Sequence, residues 1–168
     1  MAYGERTTKM KILGIISEDF VNYKKSSLTI QMPYCSFKCD KDCGSQECQN
    51  RGLQFQDPIE IETDDLIDLY LQNDITEAVV FQGLEPFDSW EELFDFIQRF
   101  RRKCNDDVVI YTGYTAKEIG DKICLLQNEE WEGNIIIKVG RYVPGQNPHK
   151  DEFLGVNLAS DNQYSFIL

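Results

Sequence analysis

Histidine and basic residues are scarce in this chain of 168 residues. The single histidine, His149, lies in a turn-like stretch, Asn147-Pro-His-Lys, so no Ser/His/Asp or Cys/His catalytic arrangement is expected. Lysine and arginine number 17 against 29 aspartates and glutamates, which gives a formal net charge of −12. Nonspecific nucleic-acid binding needs a basic surface, and no nucleic-acid partner is therefore predicted.

Long apolar runs are also missing. No run approaches the length of a membrane span, and residues 1–6 lack the hydrophobic region of a signal peptide. We therefore expect a cytoplasmic protein without a membrane partner. No repeat, low-complexity tract or long linker divides the sequence, and its length suits one core, so a single domain over residues 1–168 is predicted.

Most of the cysteines crowd into residues 35–48, directly after the alternating apolar run 28–32. They are Cys35, Cys39, Cys43 and Cys48. Disulfides are rare in a reducing cytosol, so this close spacing favours metal ligation. Thiolates bind both iron–sulfur clusters and zinc. One compact group of four differs from the two separated knuckles of a zinc ribbon, yet a four-cysteine zinc loop remains the alternative.

Strand and helix signals alternate after the cysteine loop. The β-branched runs 78–81, 108–111 and 135–139 predict buried parallel strands. Capping boxes at 89–92 and 115–118 predict the starts of two helices between them. This alternation indicates right-handed βαβ units and a mainly parallel sheet. The chain is too short for a complete eight-unit barrel, so the predicted fold is an α/β partial, open βα barrel whose cysteine loop follows the first core strand.

The spacing Cys35-x-x-x-Cys39, followed by Cys48-Gln-Asn, resembles the signature of the radical S-adenosylmethionine superfamily. In that superfamily three cysteines bind a 4Fe–4S cluster, and in its glycyl-radical activating branch the third is commonly followed by one residue and an asparagine. The family leaves two residues between its second and third cysteines, a spacing that this chain lacks. The third ligand is then Cys43, one residue later, or Cys48, beyond a longer insertion. The asparagine favours Cys48.

Residues 81–86, Phe-Gln-Gly-Leu-Glu-Pro, follow a predicted strand and resemble the family's Gly-Gly-Glu-Pro motif, which receives the amino group of S-adenosylmethionine. Glu85 matches the acid, whereas Leu84 stands in place of the second glycine. The resemblance implies a cofactor-binding role for Gln82, Gly83, Glu85 and Pro86. A plain turn between a strand and a helix is the alternative interpretation of the same residues.

Further stretches carry the same resemblance in the same order along the chain. Tyr-Thr-Gly-Tyr at 111–114 is similar to the Trp-Thr-Gly-Tyr strand end of the anaerobic ribonucleotide reductase activating proteins. This similarity implies that Thr112 and Gly113 contact the cofactor. Residues 138–142 and 158–163 resemble the closing segments of those proteins, so the resemblance covers most of the chain.

The resemblance implies a radical enzyme that cleaves S-adenosylmethionine reductively to a 5′-deoxyadenosyl radical, which abstracts hydrogen from a glycine of a partner such as anaerobic ribonucleotide reductase. Its implied cofactors are a 4Fe–4S cluster and S-adenosylmethionine, and its implied electron donor is a reduced flavodoxin- or ferredoxin-type protein. No catalytic residue beyond the cluster ligands is expected. Residues 18–23 replace the family's N-terminal Asp-Gly-Pro-Gly turn. Two alternatives stay open: a different peptide or small-molecule substrate, or a noncatalytic zinc or iron–sulfur interaction module.

Overall fold

Short strands and helices alternate through residues 8–168, the part of the chain that the computed structural model describes. Residues 1–6, in which no signal-peptide region is predicted, lie outside the described residues. Among residues 8–168, no helix has the length and apolarity needed to span a membrane. The strands are β1 (Lys9–Ile12), β2 (Gly14–Asp19), β3 (Ser27–Met32), β4 (Ile59–Glu62), β5 (Ala78–Gly83), β6 (Asp107–Tyr111), β7 (Ile135–Val139), β8 (His149–Lys150), β9 (Asn157–Leu158) and β10 (Tyr164–Ile167). The helices are α1 (Lys38–Cys43), α2 (Thr63–Leu71), α3 (Trp90–Arg101) and α4 (Gly120–Asn128), with 3₁₀ helices at Arg51–Phe55 and Pro86–Ser89.

In the described part of the chain, six strands form one mixed sheet in the order β10-β7-β6-β5-β3-β2. The central strands β3, β5, β6 and β7 are parallel, and the outer strands β2 and β10 run antiparallel to their neighbours. The three β-branched runs predicted as buried strands are confirmed as β5, β6 and β7. The predicted partial, open barrel stays a prediction.

Helices cover one face of this sheet. Phe81 of β5 lies edge-on to Phe96 of α3, with ring centroids 5.1 Å apart. The buried core on that face includes Leu66, Ile67, Tyr70, Leu93, Phe96, Phe100, Ile110 and Ile137. The core on the opposite face consists of Tyr23, Ala78, Val80, Val109, Ile136, Leu154 and Leu158. Because both faces are covered, the central strands can carry continuous apolar runs.

The capping box predicted at Ser89 is wrong. The Ser89 hydroxyl is buried and finds no hydrogen-bond partner within the described residues. A 3₁₀ helix precedes α3 directly, so the cap lies further back along the chain. There the Glu85 carboxylate accepts a hydrogen bond from the N–H of Phe87 over 3.1 Å. The start of α3 at Trp90 was predicted correctly, but Ser89 at its N-cap position makes no side-chain cap, and Glu85 caps the preceding 3₁₀ helix instead.

The second capping box, Thr115 with Glu118, forms as predicted. The Glu118 carboxylate accepts a hydrogen bond from the N–H of Thr115 over 2.9 Å, and the Thr115 hydroxyl accepts one from the N–H of Glu118 over 3.3 Å. The box closes a turn, and α4 begins only at Gly120. Both predicted boxes therefore lie in turns that lead from the carboxyl ends of strands into helices, but only the second one forms.

Candidate functional site

A cavity of about 330 Å³ opens at the carboxyl ends of the parallel strands. In open α/β sheets this is the edge at which ligands bind. Most of the predicted site residues line it, namely Cys35, Cys39, Cys48, Gln82, Gly83, Glu85, Thr112 and Gly113. Pro86 and Cys43 are outside the lining. Pro86 is buried in the 3₁₀ helix after β5, and Cys43 is exposed at the end of α1.

Strand alternation explains why polar side chains meet in this cavity. Val80, Val109 and Ile136 belong to the face away from the helices, so the residues two places later point the same way. Those residues are Gln82, Tyr111 and Lys138, and all of them line the cavity. Tyr111 and Lys138 belong to stretches that carry the family resemblance, but neither was predicted as a cofactor-binding residue. The two-residue alternation of side chains along a strand would have predicted that both of them face the cavity.

The first cysteine is held by contacts on both sides. Before it, the carbonyl of Tyr34 accepts a hydrogen bond from the N–H of Glu85 over 2.7 Å. After it, the N–H of Ser36 donates to the carboxylate of Asp88 over 2.8 Å. Cys35 therefore stays next to the turn that follows β5, close to the predicted cofactor-binding residues.

The second cysteine lies on α1, which ion pairs tie to the rest of the site. Arg141, just after β7, contacts Asp42 of α1 over 2.9 Å and Glu118 over 2.7 Å. Lys38 of α1 also pairs with Glu118. The Arg141 guanidinium and the Lys38 ammonium lower the pKa of the Glu118 carboxyl. These pairs hold the helix that carries Cys39 beside the cavity.

The third thiol of the cavity belongs to Cys48. Two residues later, the side-chain amide of Asn50 donates to the carbonyl of Gly83 over 2.8 Å. The asparagine of the Cys-x-Asn motif thus ties this end of the cysteine loop to the end of β5. The Cys43 thiol is exposed and is not part of the lining.

Two glycines let neighbouring groups approach closely. Gly83 has a φ of 96°, a left-handed conformation, and a Cβ there would lie 3.0 Å from the backbone nitrogen of Met32. A Cβ at Gly113 would lie 3.2 Å from the Cys39 Sγ and 3.7 Å from the Glu85 Oε2. Gly113 therefore leaves just enough room for a thiol on one side and a carboxylate on the other.

Glu85 is a buried carboxyl, with 6% of its surface exposed. Burial raises its pKa from 4.5 to about 7, although hydrogen bonds from Thr112, Gly113 and Phe87 act in the opposite direction. A carboxyl with this pKa is only partly ionised at neutral pH. When ionised in a buried cavity, it attracts a cationic group strongly.

Lys138 supplies the opposite charge in the same cavity, and 8% of its surface is exposed. Its ammonium donates to the carbonyl of Gly140 over 3.0 Å and to that of Thr112 over 3.4 Å. Burial lowers its pKa from 10.5 to about 8, and nearby Glu85 and Cys39 partly oppose this shift. The cavity thus offers both a carboxylate and an ammonium to a ligand that carries both charges.

The donor set fits an iron–sulfur group. Three thiols line one cavity, and thiolates are the ligands that hold such clusters. Burial raises the pKa of the Cys35 thiol to about 12 and also raises that of Cys39. Ligation requires the thiolate, which the positive charge of bound iron stabilises. Among residues 8–168, no group of three or more His, Cys, Asp or Glu side chains is arranged to hold a single metal ion.

His149, the two remaining cysteines and Phe37 of the cysteine loop lie outside the cavity lining. His149 is in β8 and pairs with Leu158 of β9. Cys104 is half-buried and Cys124 is exposed. Phe37 is half-buried, and its ring centroid lies 5.4 Å from the guanidinium carbon of Arg51. Phe37 therefore anchors the cysteine loop rather than lining the cavity.

An α/β sheet with three thiols in a cavity at its carboxyl edge fits an iron–sulfur protein. The family model described as "4Fe-4S single cluster domain" matches residues 26–159, which include the cysteine loop and strands β3 to β7. The chain belongs to this 4Fe–4S single cluster domain family. Neither the curated proteins nor the solved structures gave a significant match.

Proposed function

We propose that this protein is a radical S-adenosylmethionine enzyme that generates a glycyl radical on a partner such as anaerobic ribonucleotide reductase. The observation that carries the proposal is the meeting of three thiols with the buried carboxylate of Glu85 in one cavity. A 4Fe–4S cluster, when bound, supplies the electron that cleaves S-adenosylmethionine to a 5′-deoxyadenosyl radical. A reduced flavodoxin- or ferredoxin-type protein is the proposed source of that electron.

Cys35, Cys39 and Cys48 are the residues that would hold the cluster. With three protein thiolates for four irons, one iron would remain without a protein ligand. Gly113 keeps the space beside Cys39 free of a side chain, and Asn50 fixes the end of the loop to Gly83. These contacts make the loop and the strand ends one unit, so the ligands are held before any metal binds.

Glu85 and Lys138 are the residues that would orient the amino-acid end of S-adenosylmethionine. That end carries an ammonium and a carboxylate, and the cavity presents the complementary pair of charges. Both side chains are buried, so each charge is screened little by water. The closeness of both pKa values to neutrality supports this role, because a charged ligand then stabilises the ionised form of each group at little cost.

The proposal is tested with anaerobically loaded, chemically reduced protein and S-adenosylmethionine. We expect 5′-deoxyadenosine by chromatography, and more of it when a glycyl-radical reductase is added. Glu85→Gln should keep its iron but bind S-adenosylmethionine roughly tenfold to a hundredfold more weakly, since it removes a charge-assisted hydrogen bond. Glu91→Gln, on the exposed side of α3, is the matched control and should behave as wild type.

Each failure of this experiment has its own meaning. If S-adenosylmethionine is cleaved but no radical forms on the reductase, the substrate that donates the hydrogen atom is a different peptide or a small molecule. Iron-loaded, reduced protein that makes no 5′-deoxyadenosine overturns the proposal and leaves a noncatalytic iron–sulfur interaction module. Unchanged cofactor affinity in Glu85→Gln removes Glu85 from the cofactor site.

A further inference from the structure

The side chain of Asp40 joins the two halves of the cysteine loop. It is largely buried, with 9% of its surface exposed. Its Oδ1 accepts hydrogen bonds from the N–H groups of Glu47 and Cys48, both over 2.8 Å. Its Oδ2 pairs with the guanidinium of Arg51. One carboxylate on α1 therefore holds the backbone immediately before and at Cys48.

This contact links two of the thiols that line the cavity. Asp40 directly follows Cys39 in the chain, and its carboxylate binds the backbone of Cys48. Hydrogen bonds to a carboxylate are about twice as strong as those between neutral groups. The Arg51 guanidinium balances the buried charge and itself lies against the ring of Phe37 at the start of α1.

In contrast, the inserted residues between Cys39 and Cys48 are loosely packed. Cys43 and residues 44–46 are exposed. Gly44 adopts a left-handed conformation with a φ of 70°, and a Cβ there would meet no atom within 4 Å. The inserted residues therefore form an outward turn, and Asp40 closes it on the side of the cavity.

We propose that Asp40, supported by Arg51, is a positioning residue that selects Cys48 over Cys43 as the third cluster thiol. The insertion gives the loop two thiols beyond Cys39 that compete for one place. Asp40 fixes the backbone of one of them and leaves the other at the exposed end of α1. This inference rests on the cluster site of the proposed function, not on its radical chemistry.

The first test uses metal-free protein and iodoacetamide, with each alkylated cysteine identified by mass spectrometry. In wild type, Cys43 should react faster than Cys48. Asp40→Ala should raise the rate at Cys48 roughly tenfold, since it frees a backbone held by charge-assisted hydrogen bonds, and should leave Cys43 nearly unchanged. Lys41→Ala is the matched control on the same helix, because the Lys41 side chain is exposed and makes none of the contacts of Asp40. It should leave the rate at Cys48 unchanged.

If the alanine variant does not fold, Asp40→Asn provides a second test of the same proposal. The amide keeps one oxygen for the N–H groups of Glu47 and Cys48 but gives up the charge and the pair with Arg51. It should show an intermediate rise at Cys48. Equal Cys48 rates in wild type and in folded Asp40 variants overturn the proposal.

The second test measures iron after anaerobic loading. With Asp40 present, Cys43→Ala should keep far more iron than Cys48→Ala. In the Asp40→Asn background this difference should shrink, because the loop no longer favours one thiol. A difference of the same size in both backgrounds overturns the selective role of Asp40. Neither test uses S-adenosylmethionine, so a protein that loads iron but does not cleave the cofactor defeats the proposed function alone.

Discussion

The Glu85 carboxylate accepts a hydrogen bond from the backbone N–H of Gly113 over 2.9 Å. This bond crosses from the end of β5 to the end of β6 and fixes a buried acid at the edge of the sheet. The same glycine also adjoins the Cys39 thiol. A single residue without a side chain thus separates a candidate cluster ligand from a candidate cofactor ligand, and both depend on its small size.

Gly113→Ala should therefore damage the site without unfolding the chain. The added Cβ would lie 3.2 Å from the Cys39 Sγ, which is closer than a normal contact, so the thiol or the strand end must shift. We expect a loss of about 1–3 kcal/mol in the free energy of unfolding, typical of overpacking, and lower iron loading. Urea denaturation and iron analysis check both.

Gly120→Ala is the matched control for this change. A Cβ at Gly120, the first residue of α4, would meet no atom within 4 Å. Its stability should stay within about 1 kcal/mol of wild type, because alanine suits a helix at least as well as glycine. Equal stability and iron loading in both variants would show that the space beside Cys39 is not limiting.

The buried Glu85 carboxyl should make the metal-free protein less stable as pH rises. Its pKa is about 7 in the fold against an ordinary 4.5, so the folded chain holds a proton that the unfolded chain has released. The contribution of the protonated Glu85 carboxyl to the free energy of unfolding is fully present below pH 4.5 and is lost as pH rises through 7. Glu85→Gln cannot titrate, so the stability of wild type relative to this variant should fall by on the order of 3 kcal/mol between these pH values.

Glu118→Gln provides the control of opposite sign. The Arg141 guanidinium lowers the pKa of Glu118, so its contribution is present above pH 4.5 and is lost only at more acidic pH. Urea midpoints between pH 5 and pH 7.5 should therefore show the wild-type slope in Glu118→Gln and a flatter one in Glu85→Gln. Parallel slopes for wild type and Glu85→Gln would contradict the raised pKa of Glu85.

Local patterns predicted the sheet but not every side chain in its cavity. The runs that became β5, β6 and β7 were recognisable because strands buried on both faces need continuous apolar sequence. Gln82 and Glu85 were found through a motif at a strand end. Lys138 was not predicted, because a lysine near the end of a strand such as Ile-Ile-Ile-Lys-Val usually points into solvent. Only its place two residues after Ile136 indicates that it faces the cavity.

The contacts that arrange the cysteine loop were beyond sequence reasoning for a different reason. The pair of Arg141 with Asp42 joins residues 99 positions apart, and no local period predicts such a pair. Asp40 was hidden because an acid inside a six-residue helix of mixed charge resembles a solvated residue. Its role depends on the path of the inserted turn, which returns the backbone of Cys48 to α1. Long-range polar contacts of this kind follow from the fold as a whole.

Arg141→Gln should loosen α1 and expose Cys39. It removes charged contacts to both Asp42 and Glu118, of which Glu118 is already shared with Lys38. We expect a loss of about 1–3 kcal/mol in the free energy of unfolding, because hydrogen bonds between charged groups are worth that much. Iodoacetamide should also alkylate Cys39 faster in the metal-free variant.

Arg102→Gln is the comparison for this change, because Arg102 is exposed at the end of α3. The same loss of a positive charge there should leave both stability and Cys39 reactivity near the wild-type values. If Arg141→Gln and Arg102→Gln behave alike, the ion pairs of Arg141 do not hold the helix that carries Cys39.

Replacing the cysteines singly should separate ligands from bystanders. Anaerobically loaded wild type should contain about four irons per chain, the content of one 4Fe–4S cluster. Cys35→Ala, Cys39→Ala and Cys48→Ala should each lose the cluster, because their thiols line the cavity. Cys43→Ala should keep most of its iron, as should Cys124→Ala, whose thiol is exposed away from the lining. Iron and sulfide analysis with absorption and electron paramagnetic resonance spectra measures these outcomes.

Other results of the cysteine series would each change the assignment. Loss in Cys43→Ala with retention in Cys48→Ala makes Cys43 the third ligand, in a loop one residue longer than the family spacing. Loss in both shows that the cluster needs both sulfurs, one of them as a displaceable fourth ligand. Stoichiometric zinc without charge-transfer absorption, in protein purified under strict anoxia, would replace the cluster with a four-cysteine zinc loop.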